Sequence, residues 1–277
     1  MSECSGNCSS CSSKEKSEDC RLAARMGAVK HKIVVMSGKG GVGKSTVAVN
    51  LAKFLADSGK KVGLLDVDLH GPSIPEMLGA GNAAVLAEDD EFVPVSAHGM
   101  VFMSVGLVLE REDSPVIWRG PMKIAVIKQL LSQVQWGELD YLIVDCPPGT
   151  GDEPLSVCQM IPDADGAVIV TTPQLISASD VAKSISFCNQ LNFKILGIVE
   201  NMSGFVCPKC GEVTEIFSGG AGKNLSERYG IELLGKLPID PGVCAGGDSG
   251  QPFASGEDSP VRRALAEIGG RILELTR

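Results

Sequence analysis

Residues 32–46 read Lys32-Ile33-Val34-Val35-Met36-Ser37-Gly38-Lys39-Gly40-Gly41-Val42-Gly43-Lys44-Ser45-Thr46, and this run decides the fold. Its first part is a continuous apolar stretch, the pattern of a strand buried on both faces. The residues after it, Val47 to Leu55, place apolar side chains at helical spacing. Between them the spacing Gly38-x4-Gly43-Lys44-Ser45 is that of a phosphate-binding loop joining strand to helix. Glycines bring backbone N–H groups against phosphate oxygens, and the helix N-terminus adds partial positive charge there. In this geometry Lys44 reaches the terminal phosphates and the Ser45 hydroxyl meets Mg²⁺.

Working outward, Lys61 to Asp68 forms a second buried strand closing on Asp66 and Asp68. Leu139 to Asp145 is a third, running into Asp145-Cys146-Pro147-Pro148-Gly149-Thr150-Gly151-Asp152. An apolar strand that ends on Asp places a carboxylate where Mg²⁺ binds, so Asp145 joins Ser45 as a metal candidate. Further strands are expected at Met100–Val105, Asp165–Thr172, Lys194–Val199 and Glu232–Leu237, with a hairpin over Ala83–Ala87 and Glu91–Val95. Helices are expected after Ser73, from Gly120 to about Val134 behind a packing Trp118, over Ser177–Leu191, from Gly219 to Tyr229 and from Pro260 onward. His70 reads as a loop residue and Gly246–Pro252 as a loop. Strands alternating with helices predict an α/β fold: a doubly wound, mainly parallel sheet whose chemistry sits at the carboxyl ends of the strands.

The 277 residues are 44% hydrophobic, enough for one sizeable domain over residues 31–277. Lys and Arg number 25 against 34 Asp and Glu, a net charge of −9, which argues against nucleic acid as an obligatory partner. No run approaches the ~18 apolar residues of a membrane span, and the polar N-terminus does not read as a signal peptide. A cytoplasmic protein without a membrane partner is expected. Ten cysteines in that setting indicate metal or redox chemistry rather than disulfides.

Those cysteines fall into groups. Residues 1–30 are expected to be a flexible, polar segment in which Cys4, Cys8, Cys11 and Cys20 have the spacing C-x3-C-x2-C-x8-C. Four thiolates suit a 4Fe-4S cluster or a tetrahedral Zn²⁺. A second group, Cys207-Pro208-Lys209-Cys210-Gly211, is half of such a site. Two copies in a symmetric dimer would supply four sulfurs. Cys146, Cys158, Cys188 and Cys244 read as packing residues.

Lys39, directly after the first glycine, resembles the deviant Walker A loop of the MinD/ParA/nitrogenase-iron-protein ATPases. The resemblance implies a homodimer in which Lys39 touches the ATP of the other subunit. The run Asp66-Val67-Asp68-x-x-Gly71-Pro72-Ser73 resembles switch I of that class, with Asp68 positioning the attacking water and Asp66 in the outer shell of Mg²⁺. Asp145 to Asp152 resembles switch II, where the Gly149 N–H would sense the γ-phosphate. Asn201 of Glu200-Asn201-Met202 would recognise adenine, with Leu237 to Pro241, Pro238 and Asp240 among them, as the opposite wall. These motifs with Cys-Pro-x-Cys resemble the Mrp/ApbC family of ATP-binding iron–sulfur carriers, over roughly residues 30–277. The N-terminal cysteines make the chain look closest to the cytosolic scaffold type. Cys8 and Cys11 match its central pair, while the gaps to Cys4 and Cys20 differ from it. The family implies a labile 4Fe-4S cluster on Cys207 and Cys210 of two subunits, passed to apo iron–sulfur proteins under ATP control. A nitrogenase-iron-protein-like reductase, or a positioning ATPase with structural zinc, shares the nucleotide motifs and stays open at this level.

Overall fold

A computed structural model describes residues 18–88, 91–108, 120–207, 209–217, 219–253 and 259–277. Cys4, Cys8, Cys11 and Trp118 lie outside them. The chain begins with α1 (Glu18–Gly27), β1 (Val29–Ser37), α2 (Lys44–Asp57), β2 (Val62–Asp66) and the short α3 (Ile74–Met77). Next come β3 (Leu86–Glu88), β4 (Glu91–Val93), β5 (Val95–Ala97), β6 (Met100–Ser104), α4 (Val105–Val108) and α5 (Gly120–Ser132). β7 (Leu139–Asp145), α6 (Asp152–Met160), β8 (Gly166–Thr171), α7 (Leu175–Gln190) and β9 (Ile195–Val206) follow. The last elements are β10 (Val213–Thr214), α8 (Ala221–Tyr229), β11 (Leu233–Ile239), α9 (Pro241–Asp248) and α10 (Pro260–Leu275).

The main sheet runs in the order β10-β9-β8-β1-β7-β2-β6-β5, with β11 also on β9. Its central pairings are parallel, and β5 and β10 are antiparallel additions. After β1 the chain moves past β7 to β2. After β7 it crosses to β8 on the other side of β1. That reversal opens a crevice at the carboxyl end of β1, where ligands bind in such sheets.

The period-two alternation of a strand divides β1 between two cores. Ile33 and Val35 pack with Val47, Leu51 and Leu55 of α2 and with Leu265, Ile268 and Ile272 of α10. Val34 and Met36 pack on the other side with Leu22 and Met26 of α1 and with Ile127, Leu130 and Leu131 of α5. β7 divides the same way, Tyr141 and Ile143 against Leu142 and Val144. Each such side chain contributes about 1.5–3 kcal/mol on burial. The phosphate-binding loop therefore grows out of a strand packed on both faces.

Several elements differ from the sequence reading. Within the 1–30 stretch expected to be flexible, residues 18–27 form α1, which buries Cys20, Leu22 and Met26 against the body. α9 occupies ground read partly as loop: Pro241 starts it and Asp240 caps it, accepting from the Gly242 N–H at 2.7 Å. Ser73 precedes α3 but makes no side-chain capping bond; its turn is closed by backbone bonds. β9 continues past Asn201 to Val206, the hairpin β3–β4 forms a small sheet of its own, and a further strand, β5, pairs antiparallel with β6 at the edge of the main sheet.

Candidate functional site

The glycine loop joins β1 to α2 with the backbone geometry a phosphate-binding loop needs. Gly41 and Gly43 have φ of 77° and 78°, a left-handed conformation natural to glycine. Gly43 is the N-cap of α2 and offers no side-chain acceptor, so the first amides of the helix remain donors for an anion. Lys39, Gly40, Lys44, Ser45, Asp68 and Pro148 line a cleft of about 360 Å³ over this loop.

Beneath it lies a charged knot. Lys44 Nζ donates to Asp145 Oδ1 at 2.6 Å, and Ser45 Oγ donates to Asp145 Oδ2 at 2.6 Å. Asp66 is fully buried and accepts from Ser104 Oγ at 3.0 Å and from the Asp68 N–H at 3.0 Å. Burial first, then the charge of Asp145, pushes the Asp66 carboxyl up to about 7. Burial also raises Asp145, against the opposing pull of Lys44. Two buried carboxylates and a hydroxyl share one lysine, an all-oxygen donor set short of positive charge, and its chemistry fits Mg²⁺.

Asp68 Oδ1 accepts from the N–H groups of His70 (3.2 Å) and Gly71 (3.3 Å), which fixes the carboxylate at the cleft edge. The Gly149 N–H, expected to face a γ-phosphate, is instead bonded to the Ser37 carbonyl at 2.8 Å, with Gly149 at φ 92°. Lys39 is half-buried and has no ion-pair partner among the described residues. Cys146, beside Asp145, is fully buried, as a packing residue should be.

A second cleft of about 900 Å³ opens next to the first and shares Gly43, Thr46 and Ser73 with it. Asn201, Pro238 and Asp240 all line it, so the structure brings the three proposed base-pocket residues together. Asn201 Nδ2 also donates to the Val42 carbonyl at 2.9 Å. A Cβ on Gly43 would lie 2.2 Å from that nitrogen, so the loop and β9 approach as closely as a glycine permits. Val243, Cys244 and Gly247 of α9 complete the wall. Sequence reasoning missed them because the glycines of α9 hid the helix; Pro241 behind Asp240 was the available signal.

The cysteine pair stands at the far end of the same strand. Cys207 follows β9 directly, and its N–H and C=O bond to the Glu212 carbonyl (2.9 Å) and the Gly211 N–H (2.8 Å). Gly211, at φ 76°, lets the chain turn back into β10. Cys210 is exposed and Cys207 half-exposed. The Cys210 amide, then the Lys209 amide and the Cys210 side chain, lowers the Cys207 thiol below its ordinary value. Among the described residues no group of three or more His, Cys, Asp or Glu is placed to hold a metal, so the pair stays a pair. Cys20 does not join it.

Residues 28–273 match the protein family described as ParA, NUBPL iron-transfer P-loop NTPase. An iron-sulfur cluster carrier protein of Methanocaldococcus jannaschii is 50% identical over 284 residues, covering 99% of this chain and 98% of that one. The human cytosolic Fe-S cluster assembly factor NUBP2 is 48% identical over 254 residues, covering 90% and 94%. Among solved structures, a nucleotide-binding protein from Archaeoglobus fulgidus in complex with ADP has a TM-score of 0.76 at 41% identity, covering 86% and 94%. The cell division ATPase MinD of Pyrococcus furiosus, at 24% identity, covers 89% and 99% with a TM-score of 0.64 and shares the fold.

Proposed function

The chain belongs to the NUBPL iron-transfer family of P-loop NTPases, and from that premise we propose that it carries iron–sulfur clusters under the control of ATP hydrolysis. One observation carries the reading: β9 holds the phosphate-binding loop through Asn201 and presents Cys207 and Cys210 at its end. The names of its relatives favour a carrier that delivers to apo-proteins over a reductase or a positioning ATPase. Those relatives include cytosolic factors, and no helix among the described residues is long and apolar enough to cross a membrane.

In this reading the amides of Gly40 to Thr46 and the Lys44 ammonium hold the phosphates of ATP, and the adenine lies between Asn201 and the Pro238–Asp240 wall. Asp68 orients the attacking water. Lys39, without an ion pair among the described residues, reaches the nucleotide of a second subunit. Ser45 and Asp145 would hold Mg²⁺, with Asp66 behind them. Bound Mg²⁺ supplies charge neutralisation across the phosphate oxygens. Occupation of the cleft draws Lys44 from Asp145 towards phosphate, and a γ-phosphate competes with the Ser37 carbonyl for the Gly149 N–H.

The cluster is cargo. Each subunit offers two sulfurs, so a 4Fe-4S cluster on Cys207 and Cys210 bridges a homodimer and leaves by thiolate exchange. Cys4, Cys8, Cys11 and Cys20 would hold a second cluster or zinc, and for Cys20 that requires the first turn of α1 to open.

The test is anaerobic reconstitution with iron and sulfide, followed by visible absorption, metal analysis and light scattering. Wild type, the Cys207→Ala/Cys210→Ala variant and a chain lacking residues 1–17, which leaves α1 intact, are compared. A thiolate-to-iron band that needs Cys207 and Cys210 and appears with a dimer supports the carrier. Zinc alone, with no band in any of the three, would sink it.

A further inference from the structure

One cluster of charged side chains beside the nucleotide cleft plays no part in the mechanism so far. Lys123, in the first turn of α5, donates from Nζ to His70 Nε2 at 2.9 Å and to Glu153 Oε1 at 2.8 Å. Glu153 lies in the first turn of α6, and His70 lies in the loop after β2. The side chains of Lys123 and Glu153 are only 17% and 10% exposed, whereas that of His70 is 63% exposed. The pair is therefore a covered anchor, and the His70 ring is the part tied to it. Because an ammonium can only donate, Nε2 must present its lone pair, which puts the ring proton on Nδ1.

The His70 backbone reaches the chemistry directly. Its N–H and that of Gly71 are the donors that fix Asp68 Oδ1. Leu69, between Asp68 and His70, is buried at 3% exposure, so the peptide is pinned at one residue by packing and at the next by the Lys123 bond. Glu153 follows the segment Pro147–Gly151, whose Gly149 N–H rests on Ser37. A Cβ on Gly120 at the start of α5 would lie 3.1 Å from Asp152 Oδ2, so the two helix starts touch here as well. Burial alone would raise the Glu153 carboxyl, yet the Lys123 hydrogen bond and charge outweigh it and hold the group below its ordinary value.

We propose that Lys123 and Glu153 are positioning residues for ATP hydrolysis: acting through the His70 ring, they hold the loop whose amides aim the Asp68 carboxylate. Neither lines the cleft over the phosphate-binding loop. Each links α5 or the helix behind the Gly149 loop to the residue that orients water, so a shift of that loop on nucleotide exchange is passed to Asp68. The inference rests on the ATP-hydrolysis reading above and adds the residues that set its geometry.

The experiment measures steady-state ATP hydrolysis and thermal midpoints of the full chain as wild type, Asp68→Asn, Lys123→Met, Lys123→Arg and Glu153→Gln. Lys123→Met is expected to lower kcat about ten- to a hundredfold, the cost of a displaced catalytic group. KM for ATP should stay within about twofold, because the phosphate contacts are untouched. Lys123→Arg, which keeps a charged donor, should recover most of the loss, and Glu153→Gln should fall between. An unchanged kcat in Lys123→Met overturns the proposal. So does a loss matched by a rise in KM and a fall in the midpoint, or a failure of Arg to rescue. Wild-type hydrolysis that survives Asp68→Asn overturns the parent reading instead, and this one with it.

Discussion

Lys44 and Asp145, 101 residues apart in the chain, meet at 2.6 Å under the phosphate-binding loop, with side chains only 6% and 0% exposed. Lys39, five positions before Lys44, has no such partner among the described residues. Truncating one member of a buried pair leaves the other charge uncompensated and costs about 3–5 kcal/mol. Truncating a surface lysine changes stability by less than about 0.5 kcal/mol.

The two lysines should therefore separate by assay. Lys44→Ala lowers the urea midpoint by the larger amount and abolishes ATP binding. Lys39→Ala leaves the midpoint in place and removes only ATP-dependent dimerisation and hydrolysis, read by light scattering and phosphate release. A Lys39 variant that unfolds as readily as the Lys44 variant would reject the cross-subunit role.

Gly43 and Gly41 should also differ. Both have positive φ, so alanine at either is strained by about 1 kcal/mol. At Gly41 a Cβ meets nothing within 4 Å, whereas at Gly43 it strikes Asn201 Nδ2. Gly43→Ala thus also breaks the Asn201–Val42 bond, worth about 1 kcal/mol more. Denaturant titration should show Gly43→Ala as the more damaging. Adding Asn201→Ala to it should cost less than the two single changes together, because both remove one contact.

Native alkylation should sort the cysteines. Burial raises the thiols of Cys158 to about 12 and Cys188 to about 11, and Cys146 well above its ordinary value. Iodoacetamide followed by peptide mapping should label Cys207, Cys210 and Cys244 and spare those three until denaturant is added. Early labelling of Cys188 would show that the core opens far more readily than its packing implies.

Removal of Cys207 and Cys210 should leave the nucleotide half intact. Both sulfurs lie at the surface of the β9–β10 turn, so Cys207→Ser/Cys210→Ser is expected to keep an unfolding free energy within about 0.5 kcal/mol of wild type, read by denaturant titration. ADP affinity by calorimetry should also be unchanged while cluster loading is lost. Loss of ADP binding in this variant would contradict two separable sites.

Much of this was legible in the residues. The glycine spacing, the apolar runs ending on Asp66 and Asp145, and the helical pattern of α2 each dictate one local structure, and the sheet assembles them without conflict. The features that escaped have identifiable reasons. α1 begins in a segment whose Ser, Lys and Glu content masks the three residues it buries. α9 is rich in glycine and holds its place through the Asp240 cap and the cleft wall. In the sequence β9 reads as ending near Asn201 because Ser203 and Gly204 interrupt its apolar pattern, yet pairing with β10 and β11 carries it on. The Lys123–His70–Glu153 contact joins three distant segments, and no local pattern encodes it.

The middle of β9 has one more consequence. Met202 (φ 58°) and Gly204 (φ 81°) depart from extended backbone, and the pairing with β11 slips between Leu237 and Ile239. β9 thus has an elbow between Asn201 and Cys207, in the arm that carries the sulfurs. In the proposed dimer two such arms face each other across a twofold axis. A bend at the elbow then opens or narrows the gap between the sulfur pairs by twice its own displacement. In that proposed arrangement symmetry itself would amplify any adjustment that β9 makes at the nucleotide.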